Sequence, residues 1–213
     1  MRIVLVGAGL AAQRCAETLR QLGHGGPIAM YGDELPYDRP PLSKQFLRGE
    51  RPEVRLKPDA WYRDHDVDFR HQRVTRLDHL QYDKALIATG ATPRTLAAFP
   101  HALTLRTRAD AIALDDALTT TRHLAIIGAG LIGQEVASAA TARGIRTTLV
   151  DLDPNPFDAL MGPGGGHHLR RLHEENGVEL RLGQRSGPLN ADTILVAVGV
   201  KPAWSPDPVS DSN

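Results

Sequence analysis

Two segments of the chain carry glycines at the same spacing, and each directly follows an apolar run. The first is Gly7-Ala8-Gly9-Leu10-Ala11-Ala12 and the second is Gly128-Ala129-Gly130-Leu131-Ile132-Gly133. In this pattern the first glycine permits a tight turn, the second lets a ligand approach the backbone, and the third small residue lets a helix pack against a strand. The amides at the start of that helix are free to face phosphate oxygens. The two segments therefore predict two sites for the diphosphate of a dinucleotide.

Acidic residues follow both segments at the distance where the ribose of such a ligand would lie, roughly 20 residues further on. The apolar run at 27–31 ends in Gly32-Asp33-Glu34, and the run at 145–150 ends in Asp151. A carboxylate accepts a hydrogen bond from a ribose 2′-hydroxyl and repels a 2′-phosphate, so Asp151 favours NADH over NADPH if the second site holds a nicotinamide nucleotide. The alternative for Asp151 is a solvated acid in a loop. Between Asp33 and Glu34 the sequence leaves the acceptor open.

Strand and helix patterns alternate along the whole chain, which indicates an α/β fold with parallel sheets and helices on both faces. We predict two Rossmann-like dinucleotide-binding domains at residues 1–102 and 103–200, followed by a disordered tail at 201–213. The predicted strands cover 2–6, 27–31, 67–69, 84–88, 124–127, 145–150, 178–182 and 193–198. The predicted helices cover 10–22, a short stretch near 44, 58–63, 108–119, 131–142 and a segment that follows a glycine-rich turn at 162–166 and ends near 175.

The composition excludes several classes of function. The 213 residues include 25 acidic and 25 basic residues, which gives no footprint for nucleic acid or for an anionic membrane. The chain enters a strand at once, without a charged leader or a long apolar segment, so we expect a cytoplasmic protein. The only cysteine, Cys15, is expected to be a small buried side chain of the first helix rather than a reactive thiol. His167 and His168 lack a third ligand, so no metal site is predicted.

A run of residues after the first glycine segment makes the assignment more specific. Tyr37-Asp38-Arg39-Pro40-Pro41-Leu42-Ser43-Lys44 resembles the signature of the FAD-dependent ferredoxin, putidaredoxin and rubredoxin reductases, a branch of the pyridine nucleotide-disulfide oxidoreductases. Further segments match that family in order, at 61–62, 82–94, 105–107, 130–135, 173–178 and 191–202. The resemblance covers almost the whole chain. The disulfide-reductase branch needs a redox cysteine pair near the flavin, and no cysteine lies between 16 and 213, which excludes that branch.

The resemblance implies that the first glycine segment binds FAD, that the second binds NADH, and that electrons leave one at a time to a small iron–sulfur protein or a small-molecule acceptor. A flavin suits this exchange because it accepts a hydride and releases single electrons. Lys44 would lie near the flavin ring, where a cation favours the electron-rich reduced form. Glu135 would project toward the nicotinamide and could pair with Lys44. The plainer alternatives are an acid stabilised by a helix N-terminus and a solvated lysine.

The resemblance also implies cofactor contacts from loops. Arg39 would help to shape the loop over the flavin. Thr89 and Gly90 would bring backbone close to the flavin, although this pair also fits an ordinary strand-ending turn. Arg94 and Gly199 lie in two of the matching segments, and we include both among the predicted cofactor-binding residues.

The chain also departs from the family. Members continue well past the last matching strand, and two internal hairpins are short here, so the resemblance implies a truncated form without the C-terminal domain. That domain covers the flavin in the family, and we expect a partner chain, self-association or a bulky substrate to replace it. Ala203 and Trp204 stand after the proline-containing turn, where an asparagine is expected. Trp204 could cover the flavin or anchor the end of the chain against a sheet, and the second is favoured.

Three functions stay open at this stage. The first is a compact FAD-dependent NADH oxidoreductase, which the retained Lys44, Glu135 and ribose acids favour. The second is a degenerate relative that keeps the nucleotide fold for non-redox work, such as shaping a cyclisation pocket in a biosynthetic pathway. The trimming of both domains favours this second function. The third is a binding or regulatory subunit that senses a nucleotide or completes a partner's flavin site.

Overall fold

The computed structural model describes residues 1–50, 54–156, 158–187 and 189–204, which form two compact units. The first unit contains residues 1–38, 54–92 and 202–204, and the second contains residues 39–50 and the described residues from 93 to 201. The strands are β1 (Ile3–Val6), β2 (Ile28–Gly32), β3 (Val67–His71), β4 (Lys84–Ile87), β5 (Ala91–Pro93), β6 (His123–Ile127), β7 (Arg146–Asp151), β8 (Val178–Leu182), β9 (Thr193–Val196) and β10 (Val200–Pro202). The helices are α1 (Leu10–Gln21), α2 (Asp59–Asp64), α3 (Arg108–Leu118), α4 (Leu131–Ala142) and α5 (Asp158–Glu175), with a 3₁₀ turn at Pro40–Ser43 and a further helical turn at Phe46–Glu50.

The first unit is built on a four-stranded parallel sheet in the order β3-β2-β1-β4. All four residues of β1 are buried, which is why this central strand is an unbroken apolar run in the sequence. The strand order reverses between β1 and β4. Ligands of open parallel sheets bind at the carboxyl ends of the strands beside such a reversal, and the first glycine segment begins there.

Alternate residues of these strands face two different cores because successive side chains point to opposite faces. On one face Leu5 and Met30 pack with the small residues Ala12 and Ala16 of α1. The opposite face is covered by side chains from the loop before β4 and from the end of the described chain, namely Val74, Leu77, Leu80 and Trp204. Trp204 therefore packs against the sheet of the first unit, as favoured from the sequence.

The second unit repeats the arrangement, with a parallel sheet in the order β8-β7-β6-β9. Helix α4 is rich in alanine on its buried side, which lets it lie close to β6 and β7. Helix α3 begins with a capping box, in which the Thr107 hydroxyl accepts from the Asp110 amide and the Asp110 carboxylate accepts from the Thr107 amide. The fixed start of α3 positions Asp115 two turns further along.

One face of the second sheet carries a polar cluster. Glu179 accepts hydrogen bonds from Arg181 at 2.8 Å, Thr148 at 3.0 Å and Arg146 at 3.1 Å. These donors, Arg181 above all, lower the pKa of Glu179 to about 2. His123 and Thr148 share a hydrogen bond of 2.9 Å, and His123, Arg146, Thr148 and Arg181 line a cavity of about 220 Å³.

β5 and β10 form a separate two-stranded sheet. The predicted disordered tail is wrong for residues 201–204, because this stretch includes the end of β10 and the packed Trp204. The rest of the predicted tail lies outside the described residues. Within the described part of the chain, no helix has both the length and the apolar character needed to cross a bilayer.

Two other expectations differ from the structure. The turn predicted at 162–166 is confined to Gly162, where φ is 70° and the helical path is broken; a helical segment already precedes it from Asp158, and residues 163–166 are helical. Pro163 directly follows this interruption, where its missing N–H costs little. Segment 39–50, predicted with the first domain, belongs to the second unit. The domain division at residues 102 and 103, with one nucleotide on each side, stays a prediction.

Candidate functional site

The first nest, residues 7–12, begins where β1 ends. Gly7 has a φ of 112°, and a Cβ at this position would collide with the carbonyl oxygen of Ala88 after β4. The Gly7 amide donates to the Tyr31 carbonyl at 2.8 Å, and the Ala88 amide donates to the Val6 carbonyl at 2.7 Å. The turn is therefore fixed between the ends of β2 and β4, and only glycine fits its first position.

The space beside Gly9, at the start of α1 in the first nest, is open. Gly9 is the N-cap of α1, no side chain caps this helix, and a Cβ at Gly9 would have no neighbour within 4 Å. Ala12 is fully buried where the helix passes the strand. A diphosphate therefore fits the open space against the uncapped amides of α1, where the partial positive charge of the helix end stabilises an anion.

The second nest, residues 128–133, repeats this geometry after β6. Gly128 has a φ of 107°, and a Cβ there would lie 2.5 Å from the Ala197 carbonyl oxygen. Its amide donates to the Val150 carbonyl at 2.8 Å, and the Ala197 amide donates to the Ile127 carbonyl at 2.7 Å. These two distances equal their counterparts in the first nest, so the two turns are the same structure formed twice.

The helix start of the second nest is also open. Gly130 is the uncapped N-cap of α4 and has no neighbour within 4 Å of an added Cβ. The third position differs from the first nest, because a Cβ at Gly133 would collide with the Gly128 carbonyl oxygen. Leu131 is 60% exposed at the helix start, as its counterpart Leu10 is 49% exposed. The residues present fit a second diphosphate.

Asp151 is held against the second nest. One of its carboxylate oxygens accepts from the Ala129 amide at 2.6 Å and the other accepts from the Asp153 amide at 2.9 Å. The Asp151 side chain is therefore held in place at the carboxyl end of β7. The alternative hypothesis was a solvated acid in a loop. Each oxygen keeps a second lone pair, which is available to a ribose hydroxyl.

Asp33 and Glu34 directly follow β2, and both are exposed. An added Cβ at Gly32 would collide with Ala8, so the end of β2 lies against the first nest. Either carboxylate can extend from this position, and the structure does not choose between them.

Lys44 and Glu135 form an ion pair within the second unit. The Lys44 ammonium lies 2.9 Å from one carboxylate oxygen of Glu135, with 39% of the lysine side chain and 27% of the glutamate side chain exposed. Glu135 lies in the first turns of α4, and Lys44 directly follows the 3₁₀ turn. The pairing that the sequence analysis allowed is therefore present.

Sequence reasoning missed one residue that contacts this pair, Ser43, and one at the other end of α4, Arg143. Ser43, which is 6% exposed, donates a hydrogen bond to the other carboxylate oxygen of Glu135. Its place next to Lys44 in the matching segment was a signal for it. Arg143, directly after α4, donates to the Leu47 carbonyl at 2.9 Å and to the buried Asp115 carboxylate at 2.7 Å. No local pattern predicts this contact, because its three members are far apart in the chain.

The remaining predicted residues lie in loops and at strand ends. Gly90 has a φ of 72°, and its carbonyl accepts from the Ala203 amide at 3.0 Å. Arg94 contacts the backbone near β10, because its amide donates to the Gly199 carbonyl at 3.0 Å and its guanidinium to the Val200 carbonyl at 3.2 Å.

Thr89 is half-buried between β4 and Gly90. Arg39 opens the 3₁₀ turn that leads to Lys44. Cys15 is half-buried against the core of the first unit, and burial raises the pKa of its thiol. No group of three metal-ligating side chains is found among the described residues.

The fold and the two open nests define the class: the chain contains the dinucleotide-binding fold twice, with the charged pair of Lys44 and Glu135 at the first turns of α4. Comparison with known protein families supports this class. The chain belongs to the pyridine nucleotide-disulphide oxidoreductase family, whose sequence profile matches residues 1–206.

Relatives and solved structures narrow the resemblance within this family. The chain is 33% identical to rhodocoxin reductase of Rhodococcus erythropolis, over 95% of this chain and 56% of that protein. It is 36% identical to the ferredoxin–NAD(+) reductase component of the anthranilate 1,2-dioxygenase system of Burkholderia cepacia, over 93% of this chain and 58% of that protein. The crystal structure of the ferredoxin reductase for the CYP199A2 system from Rhodopseudomonas palustris matches 93% of this chain and 59% of its own, with a TM-score of 0.87 and 28% identity. The chain thus spans less than two thirds of these relatives.

Proposed function

We propose that the first unit binds FAD, that the second unit binds NADH, and that the protein passes the hydride of NADH to the flavin and the electrons on to a small iron–sulfur protein. The observation that carries this proposal is the duplicated nest, with an open N-cap glycine on an uncapped helix in each unit. A small-molecule acceptor is the alternative destination for the electrons.

The protein residues bind and orient in this proposal. The amides of residues 9–12 would hold the FAD diphosphate, with Asp33 or Glu34 on its ribose. The amides of residues 130–133 would hold the NADH diphosphate, with Asp151 on the adenosine ribose. Bound FAD would supply the conversion of a two-electron hydride into single electrons. The position of Asp151 supports NADH over NADPH, since its carboxylate would repel a 2′-phosphate.

Lys44 and Glu135 are proposed as the charged groups of the reacting site. Their ion pair favours one position of the half-exposed Lys44 ammonium, and a cation beside a reduced ring would stabilise the negative charge that develops there. Glu135 supplies the matching negative charge and limits the number of conformations that the lysine side chain adopts.

The names of the relatives support the choice of electron acceptor. One is a ferredoxin–NAD(+) reductase component, and another is a reductase for rhodocoxin. We propose an acceptor of the same class for this protein.

We also propose a cytoplasmic location, where NADH is regenerated, and cell fractionation with an antibody to the chain would test it.

The decisive experiment is an absorbance spectrum of the purified protein with added FAD, recorded before and after anaerobic addition of NADH. We expect the spectrum of a bound flavin that bleaches with NADH and returns when an oxidised iron–sulfur protein is added in at least twofold excess over the flavin, since each centre accepts one electron. A stable, folded protein that binds neither FAD nor NADH would contradict the proposal. It would favour a non-redox relative, such as one with a cyclisation pocket, or a regulatory subunit.

A further inference from the structure

The Glu135 carboxylate receives its two strongest described donors from two adjacent residues of another segment. The Ser43 hydroxyl donates to one oxygen, and the Lys44 ammonium lies 2.9 Å from the other. Ser43 is 6% exposed, whereas the Lys44 side chain is 39% exposed. The hydroxyl is therefore the interior contact of the carboxylate, and the ammonium is the contact on the solvent side.

The two donors differ in rigidity. A lysine side chain has four rotatable bonds, and an ion pair at this exposure favours one arrangement by a factor of only about two to five. Serine has a single side-chain rotor, and Ser43 ends a 3₁₀ turn whose Pro40 and Pro41 have fixed φ angles. The far end of the same segment is held by the bond from Arg143 to the Leu47 carbonyl. Of Ser43, Lys44 and Glu135, Ser43 is thus the residue whose side chain is most rigidly held.

The direction of the hydrogen bond follows from counting protons. An ionised carboxylate only accepts, and a serine hydroxyl has one proton to donate. The bond from Ser43 therefore uses one oxygen of Glu135 and leaves the other oxygen facing the ammonium. Without the hydroxyl, either oxygen could face Lys44 and the carboxylate could rotate.

We propose that Ser43 is a positioning residue, which fixes the orientation of the Glu135 carboxylate and, through it, the position of the Lys44 ammonium. The geometry stands without any cofactor. Only its consequence for electron transfer rests on the proposed function.

The first test needs no nucleotide. The protein and its variants are treated with an amine-acetylating reagent, and mass spectrometry follows the acetylation rate of each of the lysines, Lys44, Lys57, Lys84 and Lys201. In Ser43→Ala we expect the rate at Lys44 to rise about two- to fivefold, as an ion pair of this exposure loosens. The rate at Lys57, which pairs with Glu17 at 2.6 Å, should not change.

Three further single variants and one double variant separate positioning from a general effect on the fold. Thr141→Ala removes another hydroxyl in the same unit, one that donates to the Ala137 carbonyl at 2.9 Å, and it should leave the rate at Lys44 unchanged. Ser43→Thr keeps the donor and should restore the wild-type rate. Glu135→Gln should raise the rate as Ser43→Ala does, and the double variant should add nothing, because both changes act on one interaction.

An equal Lys44 rate in Ser43→Ala and wild-type protein would overturn the proposal, and so would a fully additive double variant. If Ser43→Ala does not fold, the comparison of Ser43→Thr with Glu135→Gln decides in its place. A Lys44 acetylation rate in Ser43→Thr as high as that in Glu135→Gln would then overturn the proposal.

In FAD-loaded protein, Ser43→Ala should also shift the flavin midpoint potential in the same direction as Lys44→Ala. A protein that binds no FAD refutes the proposed function while the acetylation result still stands.

Discussion

Alanine at the N-cap glycine of each nest should separate nucleotide binding from folding. Gly9 has φ −101° and ψ −171°, and Gly130 has φ −68° and ψ −177°, which are conformations open to alanine. An added Cβ meets nothing within 4 Å at either position. Alanine is a poorer N-cap than glycine by roughly 1 kcal/mol, and the lower entropy of the unfolded alanine chain offsets about 0.4–1 kcal/mol of this. The free energy of unfolding should therefore hardly change.

Binding of the nucleotide at the substituted nest should weaken strongly. The new methyl group would occupy the open space against the uncapped helix amides, where the diphosphate is proposed to lie. Loss of two hydrogen bonds to a charged group, at about 1.5–3 kcal/mol each, gives about 3–6 kcal/mol. At 1.4 kcal/mol per factor of ten, the dissociation constant should rise roughly 10²- to 10⁴-fold.

The assay is a pair of titrations on each variant, with quenching of flavin fluorescence for FAD and nucleotide fluorescence for NADH. Gly9→Ala should weaken FAD only, and Gly130→Ala should weaken NADH only. Gly25→Ala and Gly164→Ala are matched controls, because an added Cβ meets nothing within 4 Å at these positions either and neither residue belongs to a nest. Thermal unfolding of every variant shows whether the fold is intact.

Two results would refute this reasoning. The first is a stable Gly9→Ala or Gly130→Ala protein whose affinity for its nucleotide stays within about twofold of wild type. The second is a variant that weakens both nucleotides equally, because the nests would then not act as separate sites. By contrast, Gly128→Ala should destabilise the fold by about 1–3 kcal/mol, since it forces alanine to a φ of 107° beside the Ala197 carbonyl.

Three other predictions address charge. Asp115→Asn should lower the free energy of unfolding by about 2–4 kcal/mol, because Asp115 is 2% exposed and neutralising it leaves the Arg143 guanidinium without its buried counter-charge. Urea titrations measure this change. An unchanged midpoint of unfolding would contradict the prediction. Asp151→Ala should weaken NADH by about 10- to 100-fold and NADPH much less, so a constant ratio of the two dissociation constants would count against a ribose contact. The pKa of Glu179 is lowered from 4.5 to about 2 in the folded state, so its stabilisation is complete above pH 4.5 and is lost as the pH falls toward 2. Since the side chain is 38% exposed, this contribution is at most about 1 kcal/mol, and the stability difference between wild type and Glu179→Gln should shrink over that pH range.

Much of the fold could be predicted because its main elements are locally encoded. β1 and β6 are short apolar runs that end in a glycine turn, and a buried parallel strand needs such a run. The helices that follow begin at the N-cap glycines, and both start where the spacing predicts. The nests were predictable for the same reason, since a turn with a positive φ and a carbonyl beside it leaves room only for glycine.

Other features depend on context that a local pattern does not contain. The glycine-rich segment 162–166 has low helix propensity, yet the structure keeps it within α5 and interrupts the helix only at Gly162. The residues after 200 are polar and rich in proline, which predicts disorder, but Trp204 finds a partly buried place beside Val74, Leu77 and Leu80. For Trp204, packing against the first unit outweighs the local composition.

Segment 39–50 shows the limit of sequence order most clearly. It follows the first predicted nucleotide site in the chain, so the resemblance assigns it to the first domain. In the structure it joins the second unit through polar contacts at both ends of α4: Ser43 and Lys44 bind Glu135 at one end, and Arg143 binds the Leu47 carbonyl at the other. Such contacts join residues about 90 or more positions apart and leave no periodic signal.

This attachment has a consequence for the charged pair. Lys44, Ser43 and Glu135 all belong to one compact unit, so the distance between the ammonium and the carboxylate is set by α4 and the 3₁₀ turn alone. Changes confined to the first unit, such as Gly9→Ala, should therefore leave the acetylation rate of Lys44 at its wild-type value. Asp115→Asn should instead raise that rate, because it weakens the anchor of Arg143 on the Leu47 carbonyl within the same unit. If the rate responded to Gly9→Ala and not to Asp115→Asn, the pair would depend on the first nest, and the grouping of segment 39–50 with α4 would not hold in solution.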